Sequence, residues 1–98
     1  LTMIQSFASK AVQDIYDGVN SRYARKIQSE LHEKIRRLFD QINAAITIDT
    51  LRIPLGNRLE KLSGDLKGFW SLRVNDQWRV IFRLEEGNAL DIDIVDYH

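Results

Sequence analysis

Apolar residues in the first half of the chain recur at the spacing of α-helices. Residues 3–7 are predicted to form a short strand, after which Ser9 caps a first helix that ends near Gly18. A second, longer helix is predicted from about Ser21 to about Ala45. The apolar positions that face the core from this helix are Ile27, Leu31, Ile35, Leu38, Phe39 and Ile42.

Charged residues cover the other side of the second helix. Three pairs of opposite sign lie four positions apart, a spacing that stabilises a helix slightly. The pairs are Glu30 with Lys34, Glu33 with Arg37, and Arg36 with Asp40. His32 is placed on this polar side, and because no second ligand stands at a suitable spacing, no metal site is predicted.

The second half of the chain alternates between apolar and polar residues with the period of a β-strand. A connector with Pro54 and Gly56 comes first, and residues 47–51 are predicted to form one helical turn within it. Strands are then predicted over residues 57–62, 68–74, 77–84 and 89–95. A strand, two helices and consecutive antiparallel strands indicate an α+β domain, with the helices packed on one face of the sheet.

The alternation assigns each strand residue to one of two faces. The residues predicted to face the helices are Trp70, Leu72, Val74, Trp78, Val80, Phe82, Leu84, Leu90, Ile92 and Ile94. The residues predicted for the open face are Phe69, Ser71, Arg73, Arg79, Ile81, Arg83, Asp91 and Asp93.

Two pairs of charges are predicted to meet on the open face. Matching the apolar positions across the turns puts Arg73 opposite Arg79, and Arg83 opposite Asp91. Opposite charges across strands are stabilising and like charges are not. Arg83 therefore has a structural explanation that the other two arginines lack. Either an anion lies between those two, or their side chains diverge into solvent.

Composition narrows the classes of function. The 98 residues include 14 basic and 14 acidic side chains, so attraction to a polyanion must come from local placement of charge. Cysteine is absent, which excludes disulfides and thiolate chemistry. No apolar run approaches the roughly 20 residues of a membrane span, and the first residues do not show the charged-then-apolar pattern of an export signal. We expect one cytoplasmic domain over residues 3–98.

Charge is segregated along the second half of the chain. Between residues 58 and 83 the basic side chains outnumber the acidic ones, whereas every charged residue from 85 to 96 is acidic. The basic residues are Arg58, Lys61, Lys67, Arg73, Arg79 and Arg83. A basic patch rimmed by carboxylates suits phosphate binding followed by proton transfer.

One long block of sequence resembles a known family. It comprises residues 54–60 (PLGNRLE), residues 64–83 (GDLKGFWSLRVNDQWRVIFR) and the terminal Asp96-Tyr97-His98, together with residues 4–7 (IQSF). In these segments the chain resembles the HigB toxins, the RelE-like branch also called plasmid maintenance system killer proteins. The resemblance covers essentially all of residues 3–98. It implies a RelE-like, microbial-RNase-like α+β fold and a toxin that cleaves messenger RNA on the translating ribosome.

The resemblance also implies partners and site residues. The partner would be a HigA-type antitoxin with a helix-turn-helix domain, through which alone the toxin would reach operator DNA. Arg79 would bind phosphate, and Asp96, Tyr97 and His98 would lie near the scissile phosphate. Arg73 and Lys61 are weaker assignments. Some relatives have a histidine where this chain has Glu60, so its mechanism departs from theirs in detail.

A metal-free ribonuclease needs a base, a cation for the phosphorane and an acid for the leaving oxygen. We assign stabilisation to Arg79, helped by Arg73, and proton transfer to His98 with Asp96 or Glu60. His98 could equally be a frayed chain end. Tyr97 either stacks on a base or packs against the sheet edge.

The predicted RNA-binding residues are Arg73, Lys61, Arg58 and Phe69. No cofactor or metal is predicted.

Two classes of function stay open at this point. The first is a ribosome-dependent mRNA endonuclease. The second is a toxin-like module that has lost cleavage, through Glu60 for example, and remains an antitoxin-binding partner and co-repressor. Direct DNA binding has little support because the long helix is charge-paired rather than basic. The first two helices are a plausible antitoxin dock, with Arg22 and Tyr23 as anchors.

Overall fold

Five strands form a single sheet in the computed structural model, which describes residues 3–96. The strands are β1 (Met3–Ile4), β2 (Glu60–Lys61), β3 (Phe69–Arg73), β4 (Trp78–Glu85) and β5 (Asn88–Asp96). They lie in the order β1-β5-β4-β3-β2, and the pairs β2 with β3, β3 with β4, and β4 with β5 are antiparallel. The predicted α+β architecture is confirmed, and the last three strands match their predicted bounds within two residues.

The amino-terminal segment joins the sheet in a way that the sequence did not indicate. β1 runs parallel to β5, with Met3 opposite Asn88. The predicted strand over residues 3–7 is shorter than expected, and Phe7 forms only an isolated bridge to Ile92. Between these contacts the Ser6 hydroxyl accepts the Asp91 backbone N–H at 2.8 Å. The Asp91 N–H is therefore bound by the Ser6 side chain instead of by a backbone carbonyl.

The first helix, α1 (Lys10–Asp17), begins and ends as predicted. The Ser9 hydroxyl accepts the Val12 backbone N–H at 3.3 Å, which is the usual N-cap contact. Gly18 takes the left-handed conformation (φ 76°) and donates its N–H to carbonyls of the last turn.

Within residues 3–96, the structure contains no helix that is long and apolar enough to cross a membrane.

The second helix is shorter than predicted. α2 (His32–Ala44) begins eleven positions after Ser21, and the chain before it forms 3-10 turns at Ala24–Lys26 and Ser29–Leu31. Ile27 is extended (φ −109°, ψ 135°), which interrupts the helix. The predicted exposed position of His32 is also wrong: the side chain is buried, and its Nε2 donates to the Ile27 carbonyl at 2.9 Å.

The predicted charge pairs on the second helix are realised only in part. Arg37 pairs with Glu33 at 3.5 Å. Arg36 instead donates to the Ile15 carbonyl at 3.3 Å and so joins α2 to the end of α1. Glu30 lies in the 3-10 turn before α2. Of these charged residues, the late start of α2 therefore removes only Glu30 from the helix, since Arg36 and Asp40 both lie within it.

Both helices pack on one face of the sheet. Residues of α1 and α2 share a buried cluster with Leu72, Val80 and Phe82. Trp70 and Trp78 pack against this cluster, as predicted. The largest fully buried side chains in it are Phe39, Phe82, Ile15, Ile35, Ile42, Leu51, Leu72 and Ile92. Neither helix covers the opposite face of the sheet, here called the open face, although Ser71, Arg79 and Ile81 on it are buried.

A β-bulge corrects the predicted face of Leu90. The register between β4 and β5 shifts between Ile81 and Arg83, so that Arg83 stands opposite Leu90. Asp91 is in the left-handed region (φ 54°), and Ala89 rather than Leu90 joins the buried cluster. The predicted ion pair nevertheless forms, since Arg83 Nε lies 2.8 Å from the Asp91 carboxylate.

The connector between α2 and the sheet shortens the second predicted strand. It contains 3-10 turns at Ile48–Arg52 and Leu55–Asn57, the first of which agrees with the predicted helical turn. Asn57 is buried and donates to the Gln41 side chain at 2.7 Å. Arg58 then adopts the left-handed conformation (φ 45°, ψ 58°), so the chain is not extended until after this point.

Asp14 joins α1 to the turn that follows it. Its carboxylate accepts the Ser21 hydroxyl at 2.6 Å and the Lys10 ammonium at 3.1 Å. The hydrogen bond from Ser21, with help from Lys10, lowers the pKa of Asp14 below its ordinary value, although burial opposes this shift. The ionised carboxylate therefore stabilises the folded protein above its ordinary pKa, and this contribution is lost as the pH falls through the lowered value.

We expect Asp14→Asn to lower the thermal unfolding midpoint at pH 7. The deficit should begin to shrink below about pH 4, where the carboxylate of the unfolded chain takes up a proton, and it should disappear only when the pH falls through the lowered pKa of the folded protein. Thermal unfolding followed by circular dichroism at pH 7 and pH 3 measures both effects. Asp17→Asn, at the exposed end of α1, is the matched control and should show no comparable loss. An equal deficit for Asp14→Asn at both pH values would contradict the role of the charge.

Candidate active site

Arg79 lies at the centre of the candidate site on the open face of the sheet. It belongs to β4, and its side chain is only 7% exposed. Two neighbouring strands place Glu60 and Ser71 opposite each other on the same face. The three side chains come from β2, β3 and β4, so the sheet itself fixes their spacing.

Three groups surround the Arg79 guanidinium. Its Nη2 donates to the Arg58 backbone carbonyl at 2.6 Å and to the Ser71 hydroxyl at 2.8 Å. Its Nη1 lies 3.6 Å from the Glu60 carboxylate, which is about half exposed. The arrangement holds a cation beside a solvent-accessible carboxylate, the pair that phosphate binding with proton transfer requires.

Arg73 stands opposite Arg79 in the strand register, as predicted. Its guanidinium, however, pairs with the carboxylate of Asp76 in the turn between β3 and β4. Arg79 has Glu60 as its own acidic neighbour. Each of the two like charges is therefore offset by a separate carboxylate, and an anion between them is not needed to explain their proximity.

The other predicted RNA-binding residues are spread around this centre. The Arg58 side chain is exposed, and Phe69 is half-buried opposite Arg83. Lys61 lies on the other side of β2 from Glu60, with its Nζ 5.7 Å from the centre of the Trp70 ring. A cleft of about 320 Å³ adjoins β2, and Glu60 and Lys61 are among the residues that line it.

The predicted carboxy-terminal cluster is described only at Asp96. This residue stands opposite Trp78 in the register, whereas Arg79 stands opposite Val95. Paired residues share a face, so Asp96 has the orientation of the helix-packed side of the sheet. Its carboxylate accepts the Gln77 side-chain amide at 3.1 Å. Tyr97 and His98 lie outside the described residues, and their roles stay predictions.

Comparison with known proteins agrees with this fold. A family model described as the RelE-like toxin of the type II toxin-antitoxin system HigB matches residues 5–98. The chain is also 38% identical over 89 residues to Toxin HigB-1 of Vibrio cholerae serotype O1, covering 91% of this chain and 92% of that protein. The chain belongs to the HigB family of RelE-like toxins. As a toxin of a type II toxin-antitoxin system, it has an antitoxin as its partner.

Other proteins resemble this HigB toxin over nearly their whole length. Endoribonuclease HigB of Proteus vulgaris is 29% identical over 97 residues, covering 98% of this chain and 100% of that protein. A chain of the YoeB-YefM complex from Staphylococcus aureus superposes with a TM-score of 0.62 at 21% identity, over 97% of both chains. YafQ from E. coli gives a TM-score of 0.58 at 14% identity, over 98% of this chain and 93% of YafQ. These two structures confirm the predicted RelE-like fold.

Ser71, which lies beside Arg79, was not predicted as a site residue, and the contact between Arg58 and Arg79 was not predicted either. Alternation placed Ser71 on the open face, but its contact with Arg79 depends on strand register and side-chain direction together. The Arg58 contact uses a backbone carbonyl, which no pattern of side chains reveals. Among residues 3–96 no group of three metal-ligating side chains is close enough to hold a metal ion.

Proposed function

We propose that this toxin is a metal-independent endoribonuclease that cleaves messenger RNA on the translating ribosome. The observation that carries the proposal is the Glu60 carboxylate 3.6 Å from the guanidinium of Arg79. This pair offers a proton acceptor and a phosphate-binding cation on one open face. The relative from Proteus vulgaris, whose name is that of an endoribonuclease, supports the same reaction class.

The proposed reaction is an internal transfer at the scissile phosphate. Glu60 takes the proton of the ribose 2′-hydroxyl, and the resulting oxygen attacks the phosphorus. Arg79, helped by Arg73, stabilises the extra negative charge of the phosphorane. His98 donates a proton to the departing 5′ oxygen, and Asp96 assists this proton transfer. The products are a 2′,3′-cyclic phosphate and a 5′-hydroxyl end.

The ribosome brings the toxin to its RNA substrate, which the net charge of the toxin does not do. With 14 basic and 14 acidic residues, the protein has no general attraction to RNA. A ribosome that presents and orients the codon removes the need for it. The local RNA contacts are then made by Arg73, Lys61, Arg58 and Phe69.

We propose a HigA-type helix-turn-helix antitoxin as the partner. The toxin contacts operator DNA only through that antitoxin.

An in vitro translation reaction tests the proposal. Purified toxin is added to a defined mRNA with and without ribosomes, and the 5′ ends of the products are mapped by primer extension. We expect cleavage within the codon presented by the ribosome, and little or none in free mRNA. Intact mRNA in both reactions would overturn the proposal. Cleavage of free mRNA at the same rate would overturn its ribosome-dependent part.

The alternative of a toxin-like module without cleavage is not favoured. It rested on Glu60, which stands where some relatives have a histidine. Glu60 lies beside Arg79 with half of its side chain exposed. A carboxylate in this position can accept a proton as a histidine can. The departure from those relatives is therefore compatible with catalysis.

Asp76 is expected to restrain the contribution of Arg73 to RNA binding. Its fully exposed carboxylate pairs with the Arg73 guanidinium, which the RNA would otherwise engage. We expect Asp76→Asn to tighten binding of a ribosome-bound, non-cleavable 2′-deoxy codon by about twofold to fivefold, as for the loss of an exposed ion pair. Filter binding at increasing salt measures the effect, which should shrink as the charges are screened.

Asp65→Asn removes an exposed acid from a different turn and serves as the control for Asp76. It should leave the affinity for the codon nearly unchanged. Weaker binding by Asp76→Asn, or an equal gain by the control, would show that Arg73 does not act in this way.

A further inference from the structure

Ser71 is a buried polar residue in the middle of β3. None of its surface is exposed, and it lies between Glu60 of β2 and Ile81 of β4 in the register of the sheet. Burying a hydroxyl is costly unless it is hydrogen-bonded, and β-branched apolar residues suit such a strand position better than serine. The partner of the hydroxyl therefore explains why a serine can occupy this position.

That partner is the Arg79 guanidinium. Nη2 donates to the Ser71 hydroxyl at 2.8 Å and, on another segment, to the Arg58 carbonyl at 2.6 Å. The guanidinium is a rigid plane, so fixing one terminal nitrogen at two acceptors also fixes the direction of the other. The other nitrogen, Nη1, faces Glu60. Ser71 therefore helps to aim the part of Arg79 that lies next to the carboxylate.

We propose that Ser71 is a positioning residue for the cleavage reaction, which it serves by orienting Arg79; this inference rests on the proposed ribonuclease function. Ser71 is fully buried, so it acts through Arg79 and does not touch RNA. The Arg58 carbonyl still holds Nη2 when the hydroxyl is absent. Loss of Ser71 should therefore loosen the orientation of Arg79 while leaving the protein folded.

Ser71→Ala removes the hydroxyl, and Ser71→Thr restores it. We expect Ser71→Ala to lower the single-turnover rate of mRNA cleavage on the ribosome by about 10-fold to 100-fold, because small errors in the position of a reacting group are costly. The toxin concentration that gives half the maximal rate should change by less than about twofold, because contact with RNA is retained. Ser71→Thr should recover most of the rate, and thermal unfolding identifies any variant that fails to fold.

A second measurement follows Arg79 directly and does not depend on activity. In the free protein labelled with ¹⁵N-arginine, the Arg79 side-chain signals are assigned by their loss in Arg79→Lys. We expect Ser71→Ala to speed the exchange of these guanidinium protons with water, and Ser71→Thr to slow it again. Combining Ser71→Ala with Arg79→Lys should cost less in rate than the two single effects together, because both act through one group.

The outcomes separate this inference from the proposed function. A wild-type toxin that cleaves no RNA defeats the proposed function, whereas faster Arg79 exchange in Ser71→Ala still supports the positioning role. Unchanged Arg79 exchange overturns the inference even if cleavage slows, because Ser71 would then act by another route. Faster exchange with an unchanged cleavage rate also overturns it, since the orientation of Arg79 would not matter to the reaction.

Discussion

Replacing Arg79 with alanine is expected to lower mRNA cleavage on the ribosome by about 100-fold to 1,000-fold, as for the removal of one group that stabilises transition-state charge. The guanidinium lies beside Glu60, and 7% of the Arg79 side chain is exposed. In the proposed reaction this exposed part meets the phosphorane. Its loss also leaves the Ser71 hydroxyl without its charged donor. Single-turnover cleavage of a ribosome-bound codon measures the rate, and antitoxin binding reports whether the variant is folded.

Two further variants distinguish charge from geometry at this position. Arg79→Lys keeps the positive charge but lacks the planar fork that reaches the Arg58 carbonyl and Glu60 together, so we expect only partial activity. Arg37→Ala removes an exposed arginine from α2 and should leave the rate unchanged. Full activity in a folded Arg79→Ala protein would contradict the assignment of Arg79 to the reacting phosphate.

Replacing Glu60 with glutamine is expected to slow cleavage by about 100-fold to 10,000-fold, the range found for general acid–base groups. Glutamine keeps the size of the side chain and can still accept a hydrogen bond from Arg79, but it cannot take a proton from the 2′-hydroxyl. Single-turnover cleavage of a ribosome-bound codon at pH 7 measures the rate, and antitoxin binding reports whether the variant is folded.

A histidine at the same position provides the matched test. Glu60→His should cleave more rapidly than Glu60→Gln, because an imidazole can take the proton of the 2′-hydroxyl and an amide cannot. The opposite result would be equally informative. If Glu60→Gln were as active as the wild type or more so, Glu60 would serve only to balance the charge of Arg79, and the base would lie elsewhere.

The regular part of the sheet followed from alternation alone. Period-two patterning predicted the Arg73 and Arg79 pairing across β3 and β4, and the structure confirms it. It also predicted that Arg83 pairs with Asp91, which holds although the register differs by one residue. The prediction of the Leu90 face failed because a bulge at Asp91 reverses the alternation locally. Apolar spacing carries no signal for a single inserted residue.

The predicted start of the second helix was wrong because side-chain hydrogen bonds there replace the regular backbone hydrogen bonds of a helix. Helical spacing continues through Ile27, yet the chain there is extended and the helix begins only at His32. The contacts that hold this break are the Ser21 hydroxyl on the Ala24 N–H and the buried His32 ring on the Ile27 carbonyl. These contacts depend on the packed structure, so a periodicity analysis of one segment does not detect them.

The candidate site was predictable in its residue types but not in its contacts. The family resemblance predicted Arg79 as a phosphate-binding residue, and Glu60 was proposed for proton transfer at a position where this chain departs from some relatives. Their proximity required the order of three strands, and the Ser71 and Arg58 contacts required side-chain direction and a left-handed turn. Sequence alone could propose which groups take part in the reaction, whereas the structure indicates how one of them is aimed.

The parallel pairing of β1 with β5 bears on when a newly made toxin can act. Ser6 and Asp91 lie 85 positions apart, and Met3 meets Asn88 in the finished sheet. A ribosome builds the chain from its amino end, so β1 leaves the exit tunnel long before its partner strand has been translated. Contacts of such long sequence separation close late in folding. We expect the nascent chain to stay inactive through most of its own translation, so that, under the proposed function, the toxin would not stall the ribosome that makes it.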